Sequence, residues 1–88
     1  LLTYLSRYSL EREEYDGCIM WCNKLIAIDT CREDIHRRLM RCYSRQGHHH
    51  LALRQYQLCV EALARELDVP PDTTTQELYA QIRQRRPV

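Results

Sequence analysis

The chain has 88 residues, of which 44% are hydrophobic and 28% are charged. This composition is enough to bury one core, and it excludes a disordered tail. The net charge of +1 gives no overall attraction to nucleic acid or to a membrane surface. No apolar run approaches the roughly 18 residues of a membrane span, and the first residues lack a signal-peptide layout. We therefore expect one cytoplasmic domain over residues 1–88, cut from a longer chain because Leu1 already lies in a helical pattern.

Apolar residues at helical spacing predict helices from the start of the chain. The first helix runs to about Ser9, and the second covers roughly residues 14–28. Thr30 begins a Thr-Cys-Arg-Glu sequence, which is typical of a capping box in which Glu33 returns to the cap residue. This box would open the third helix, and Gly47 would end it.

Two further helices are predicted in the second half of the chain. The fourth covers about residues 49–67 and is apolar around most of its circumference, so it needs cover on two sides. Pro70 and Pro71 then break the chain. A second capping box, Thr74 to Glu77, would open the last helix.

The sequence repeats weakly with a period of 34. A shift of this length aligns Leu5 with Leu39 and Cys22 with Tyr56, so that apolar residues match apolar residues. A 34-residue unit of two helices is typical of the tetratricopeptide (TPR) repeat. We therefore predict an all-α fold, a TPR-like stack of antiparallel helix hairpins in a right-handed superhelix with a C-terminal capping helix.

The cysteines and histidines allow two interpretations. Five cysteines, an odd number, fit a reducing cytosol better than a disulfide framework. Cys18 and Cys22 lie one helical turn apart, like paired metal ligands, but no second pair has the spacing of a zinc site. His48–His50 are contiguous, so their side chains would fan apart. We expect buried thiols and no metal or cofactor, with metal sensing as the remote alternative.

No residue pattern indicates catalysis. The sequence has no nucleophile with a base and an orienting group, and no glycine-rich phosphate loop. His36, the one histidine among apolar neighbours, is expected to be a packed and hydrogen-bonded core residue. The sequence therefore predicts no catalytic residues and no enzyme activity.

Arginine supplies nearly all of the positive charge, with Lys24 as the sole lysine. The TPR period places Arg37, Arg41 and Arg45 on the groove side of the third helix, and Arg7 on the same side one repeat earlier. Because arginine binds carboxylates with two donors, this stripe is a candidate site for an acidic peptide or partner helix.

The alternative for these arginines is an ordinary solvated face. On that interpretation Glu33 pairs with Arg37 and Asp34 with Arg38, each pair contributing a few tenths of a kcal/mol.

The most specific motif lies near the end of the chain. It consists of Leu63-Ala64-Arg65-Glu66-Leu67-Asp68-Val69-Pro70-Pro71, followed by Thr75-x-x-Leu78-Tyr79-x-x-Ile82. The motif resembles the end of the bacterial transcriptional activator domain of the Streptomyces antibiotic regulatory protein family.

The upstream sequence agrees with this resemblance in most positions. Cys22 to Asp29 with Glu33 and His36 resembles an earlier helix and turn of that domain. The resemblance covers nearly the whole chain but only the later part of the domain. It departs at Thr30, where the family usually has proline, and at Asp68, where a usual glycine would make the turn more easily.

The resemblance implies a TPR-like module of a bacterial transcription activator. In that family a winged helix-turn-helix normally reads the DNA, and these residues contain none, so DNA contact would come only through that absent unit. The expected partner is a protein, namely a second copy, an RNA polymerase subunit or a regulatory domain. Trp21 lies off the main apolar stripe of the second helix, so we expect a homodimer through the first two helices. The alternative is a generic TPR adaptor that binds an acidic peptide in the arginine-lined groove.

Overall fold

The computed structural model describes residues 15–88, and this part of the chain contains helices and no strand. Four helices follow one another: α1 (Tyr15–Ile28), α2 (Glu33–Arg45), α3 (His49–Glu66) and α4 (Thr73–Arg83). The predicted all-α fold and the predicted helix positions are confirmed over this range. The predicted helix that ends at about Ser9 lies outside the described residues.

The helices pack as antiparallel neighbours. At one end Gln46, just after α2, donates to the carboxylate of Asp16 at the start of α1 (2.7 Å). At the other end Thr30, just before α2, donates to the carboxylate of Glu66 at the end of α3 (2.7 Å). α4 packs against both α2 and α3. This order is compatible with a TPR-like stack, and the right-handed superhelix stays a prediction.

The 34-residue period is visible in the helices themselves. Positions that the 34-residue shift relates lie on α1 (Tyr15–Ile28) and on α3 (His49–Glu66). Cys18 and Ala52 are related by the same shift, and both are fully buried. Each therefore occupies the interface between its own helix and the helix that follows.

Two buried clusters form the core, and α2 contributes to both. The first joins α1 to α2 and consists of Cys18, Cys22, Ile35, Leu39 and Cys42. The second joins α2, α3 and α4 and consists of Met40, Ala52, Leu78 and Ile82. α2 is therefore the central helix, and only a narrow face of it remains for other contacts.

The two predicted capping boxes are wrong. α2 begins after Arg32 with no side-chain cap, because Glu33 extends to α4 instead of returning to Thr30. α4 is capped by Asp72, whose carboxylate accepts from the backbone N–H of Thr74. Both sequences carry the right residue types, but Glu33 binds a tertiary partner, and α4 begins before Thr74 with Asp72 as its cap.

Three helices end in a left-handed residue. Gly47 ends α2 at φ +82°, as predicted, and the backbone N–H groups of Gly47 and His48 bond to the last turn of the helix. Asp68 follows α3 at φ 54° and Arg85 follows α4 at φ 57°. The expectation that Asp68 takes up a turn that suits glycine is confirmed.

Candidate functional site

The predicted arginine stripe runs along α2, but its members have different surroundings. Nη1 of Arg37 donates to Thr75 Oγ1 (2.8 Å) and lies 3.9 Å from Glu33 Oε2. Nη2 of Arg45 donates to the backbone oxygen of Val88. Both side chains are thus held by the protein's own groups. Arg7, the fourth predicted residue, lies outside the described residues.

Arg41, between these two, is different. It is half-buried, and no hydrogen bond or ion pair joins it to the part of the chain that the structure describes. Burial lowers the pKa of its guanidinium, and the like charges of Arg37, Arg45 and Arg38 lower it further. Because a guanidinium stays protonated in proteins, Arg41 carries a positive charge that forms no ion pair with a carboxylate of residues 15–88.

A polar network joins the first turn of α2 to the first turn of α4. Glu33 accepts from the Thr75 hydroxyl (2.6 Å) and from the backbone N–H of Asp72 (3.0 Å). Thr75 is fully buried, and its hydroxyl oxygen in turn accepts from Arg37. The expected Glu33–Arg37 pair is confirmed, whereas Asp34 binds Arg32 instead of Arg38, at 3.0 and 2.7 Å. The network therefore fixes the direction in which Arg37 points.

His36 is a structural residue, as predicted. Its side chain is 2% exposed, Nε2 lies 2.8 Å from the backbone oxygen of Thr30, and Nδ1 lies 2.7 Å from Nε2 of Gln55. The carbonyl can only accept and the amide nitrogen can only donate, so the ring carries its proton on Nε2. Both nitrogens are therefore occupied: Nδ1 joins α2 to α3, and Nε2 joins α2 to the turn that precedes it.

Three thiols meet in the core between α1 and α2. Cys42 Sγ lies 3.2 Å from Cys18 Sγ, which lies 3.9 Å from Cys22 Sγ. The hydrogen bond to Cys18 and burial both raise the pKa of Cys42. Burial also raises the pKa of Cys59, in α3, to about 12. Cys18, Cys22, Cys42 and Cys59 are buried packing residues, as the sequence predicts.

The histidine triplet starts α3 without a side-chain cap from His48. Residues 15–88 contain no group of three histidine, cysteine, aspartate or glutamate side chains that could hold a metal ion. The contiguous triplet thus fits a surface helix entry.

Sequence reasoning missed an apolar surface at one end of the bundle. Ile28, the last residue of α1, is 79% exposed, and Leu67, just after α3, is 58% exposed. Both line one open depression, and we call this pair the end patch. No signal in the sequence indicated this pair, because the two residues lie 39 positions apart.

Comparison with known protein families identifies the family of this chain. A family model for the bacterial transcriptional activator domain matches residues 1–83. The chain belongs to this family. No curated protein and no solved structure gives a significant match.

The chain is therefore a bacterial transcriptional activator domain, and its role lies in the regulation of transcription. The family is regulatory and not catalytic. None of the helices in residues 15–88 is long and apolar enough to cross a membrane. Candidate surfaces of this domain are the arginine stripe and the end patch.

Proposed function

We propose that this domain is the protein-contact module of a bacterial transcription activator. It would hold its regulator as a dimer, or dock it to RNA polymerase or to a signalling domain, through the faces of its helices. The family supports a role in activation, and DNA reading would belong to a separate winged helix-turn-helix.

The observation that carries this proposal is the end patch. A small domain normally turns its large aliphatic side chains inward, so an isoleucine that is 79% exposed beside an exposed leucine favours a contact surface. Thr30 and Glu66 hold the two helix ends together beneath the patch. The apolar pair is therefore presented on a rigid support, which lowers the entropic cost of binding.

The interior supports contact over catalysis. His36 has both ring nitrogens engaged, and the thiols of Cys42 and Cys59 have raised pKa values. A thiol with a raised pKa is a poor nucleophile because the thiolate is the reactive form.

A two-hybrid assay in bacteria tests the proposal. The domain would be paired with itself, with each RNA polymerase subunit and with the regulatory domains of its own regulator. We expect Ile28→Glu to abolish one of these interactions, because a carboxylate in the patch would have to be desolvated. Asn23→Glu, an exposed position on the same helix, is the matched control. No interaction with any of these partners, or equal loss in both variants, would overturn the proposal.

A further inference from the structure

We propose that Arg41 anchors an acidic segment of the partner protein, through the carboxylates of its aspartate or glutamate side chains. This inference rests on the proposed function, because it names the chemistry of the partner that the domain contacts. The binding surface is the exposed face of α2 that carries Arg37, Arg41 and Arg45, which we call the arginine face.

Two of the three arginines of the arginine face have acceptors within the described residues, and Arg41 does not. Arg37 is held at one end by Thr75 and Glu33, and Arg45 is held at the other end by Val88. Arg41 lies one helical turn from each, and it has no acceptor among residues 15–88. No buried side-chain nitrogen or oxygen of the described residues lacks a hydrogen-bond partner, so the guanidinium of half-buried Arg41 reaches solvent. Its five N–H groups can therefore bind an acceptor from another molecule.

The charges around Arg41 make an anion favourable. Its neighbours Arg37, Arg38 and Arg45 are all cations, and together with burial they lower its pKa. Neutralisation of the guanidinium is out of reach at ordinary pH, so only an anion can offset this repulsion. A carboxylate suits the planar fork, because it can accept two parallel hydrogen bonds.

The surroundings favour an acidic polypeptide over nucleic acid. Glu33 and Asp34 lie at the beginning of the same helix, so the positive surface is short and suits one or two carboxylates better than a continuous run of phosphates. Strong binding to duplex DNA requires several phosphate contacts, whereas only one of the three arginines of this face has no acceptor in the described part of the chain. The net charge of +1 adds little long-range attraction.

Fluorescence anisotropy with a labelled hexaglutamate peptide tests the inference. We expect the 88-residue chain to bind the peptide, and binding to weaken with added salt. Arg41→Gln should weaken binding by about tenfold, since a hydrogen bond to a charged group is lost. Arg54→Gln removes an exposed arginine of α3 and should bind like the wild type. Circular dichroism would establish that both variants keep the wild-type helix content.

Three results would overturn the inference: no peptide binding by the wild type, equal binding by Arg41→Gln, or tighter binding of a labelled DNA duplex that depends on Arg41. These results are separable from failure of the proposed function. If Ile28→Glu still abolishes a two-hybrid interaction while the peptide does not bind, the contact role stands and only the acidic partner is excluded. If the peptide binds but no two-hybrid interaction is found, the acidic site stands and the wider role fails.

Discussion

Thr75 Oγ1 donates a 2.6 Å hydrogen bond to Glu33 Oε2, which fastens the first turn of α4 to the first turn of α2. Thr75 is fully buried, and Glu33 also accepts from the backbone N–H of Asp72. One carboxylate thus fixes both the side chain and the backbone at the entry to α4. The position of the last helix depends on this polar contact as well as on its apolar face.

Removal of the Thr75 hydroxyl should therefore destabilise the fold. Thr75→Val keeps the shape of the side chain but removes one hydrogen-bond partner from Glu33 and one from Arg37. We expect the free energy of unfolding to fall by about 1–3 kcal/mol, the cost of unsatisfied polar groups away from water. Urea denaturation measures this change. Thr74→Val, at an exposed neighbour, is the control, and an equal effect in both variants would contradict the role of the network.

The His36–Gln55 contact gives a second prediction. Gln55→Leu would leave Nδ1 of a buried imidazole without its donor, and we expect a loss of about 1–3 kcal/mol in unfolding free energy. Gln57→Leu, on the exposed side of α3, should change stability by less than about 0.5 kcal/mol. Nitrogen chemical shifts of His36 would report the proton on Nε2 in the wild type. A ring protonated on Nδ1 alone would contradict the assignment.

The raised pKa of Cys59 predicts a loss of stability in alkali. In the folded protein burial raises this pKa from 9.0 to about 12, while the unfolded chain keeps the ordinary value. The unfolded state therefore releases its proton first, and the stabilisation is present in full below pH 9 and is lost as the pH rises to about 12. Urea denaturation across this range measures the loss. Cys59→Ala should flatten the profile, and an unchanged slope would count against burial of this thiol.

The turn after α3 predicts opposite effects for two substitutions of one residue. Asp68 has φ 54°, a conformation that glycine adopts without a steric cost. Asp68→Gly should leave the melting temperature equal or raise it, since relief of strain outweighs the added freedom of the unfolded chain. Asp68→Ala should lower the free energy of unfolding by about 1 kcal/mol. Calorimetry compares the two, and a more stable alanine variant would refute the argument.

Hydrophobic periodicity predicted the helices because it depends on local spacing, which the fold preserves. The shared burial of Cys18 and Ala52, which lie 34 positions apart, follows from the same pattern, and so does the burial of His36. The hydrogen bond between Glu33 and Thr75 could not be predicted in this way. The sequence offers Glu33 a local partner at Thr30, but in the structure Glu33 binds Thr75, which lies 42 residues away. Polar side chains choose among partners by tertiary geometry, which a pattern of residue types does not contain.

The candidate site shows the same division. The sequence placed Arg37, Arg41 and Arg45 on one face of a helix, but their spacing does not show which of them already has an acceptor. Only the positions of Thr75 and Val88 distinguish the arginines that are already bound from Arg41. The end patch was missed because Ile28 and Leu67 belong to different helices, and their proximity is a property of the packing.

The most direct test of a protein-contact role is in vitro transcription by the whole regulator, measured together with its binding to promoter DNA. The double variant Ile28→Glu, Arg41→Gln should occupy the promoter like the wild type, or lose occupancy only where dimerisation is required. Its activation of transcription should fall by about tenfold or more. The pair Asn23→Glu, Arg54→Gln should activate normally. Full activation by the double variant would contradict the account.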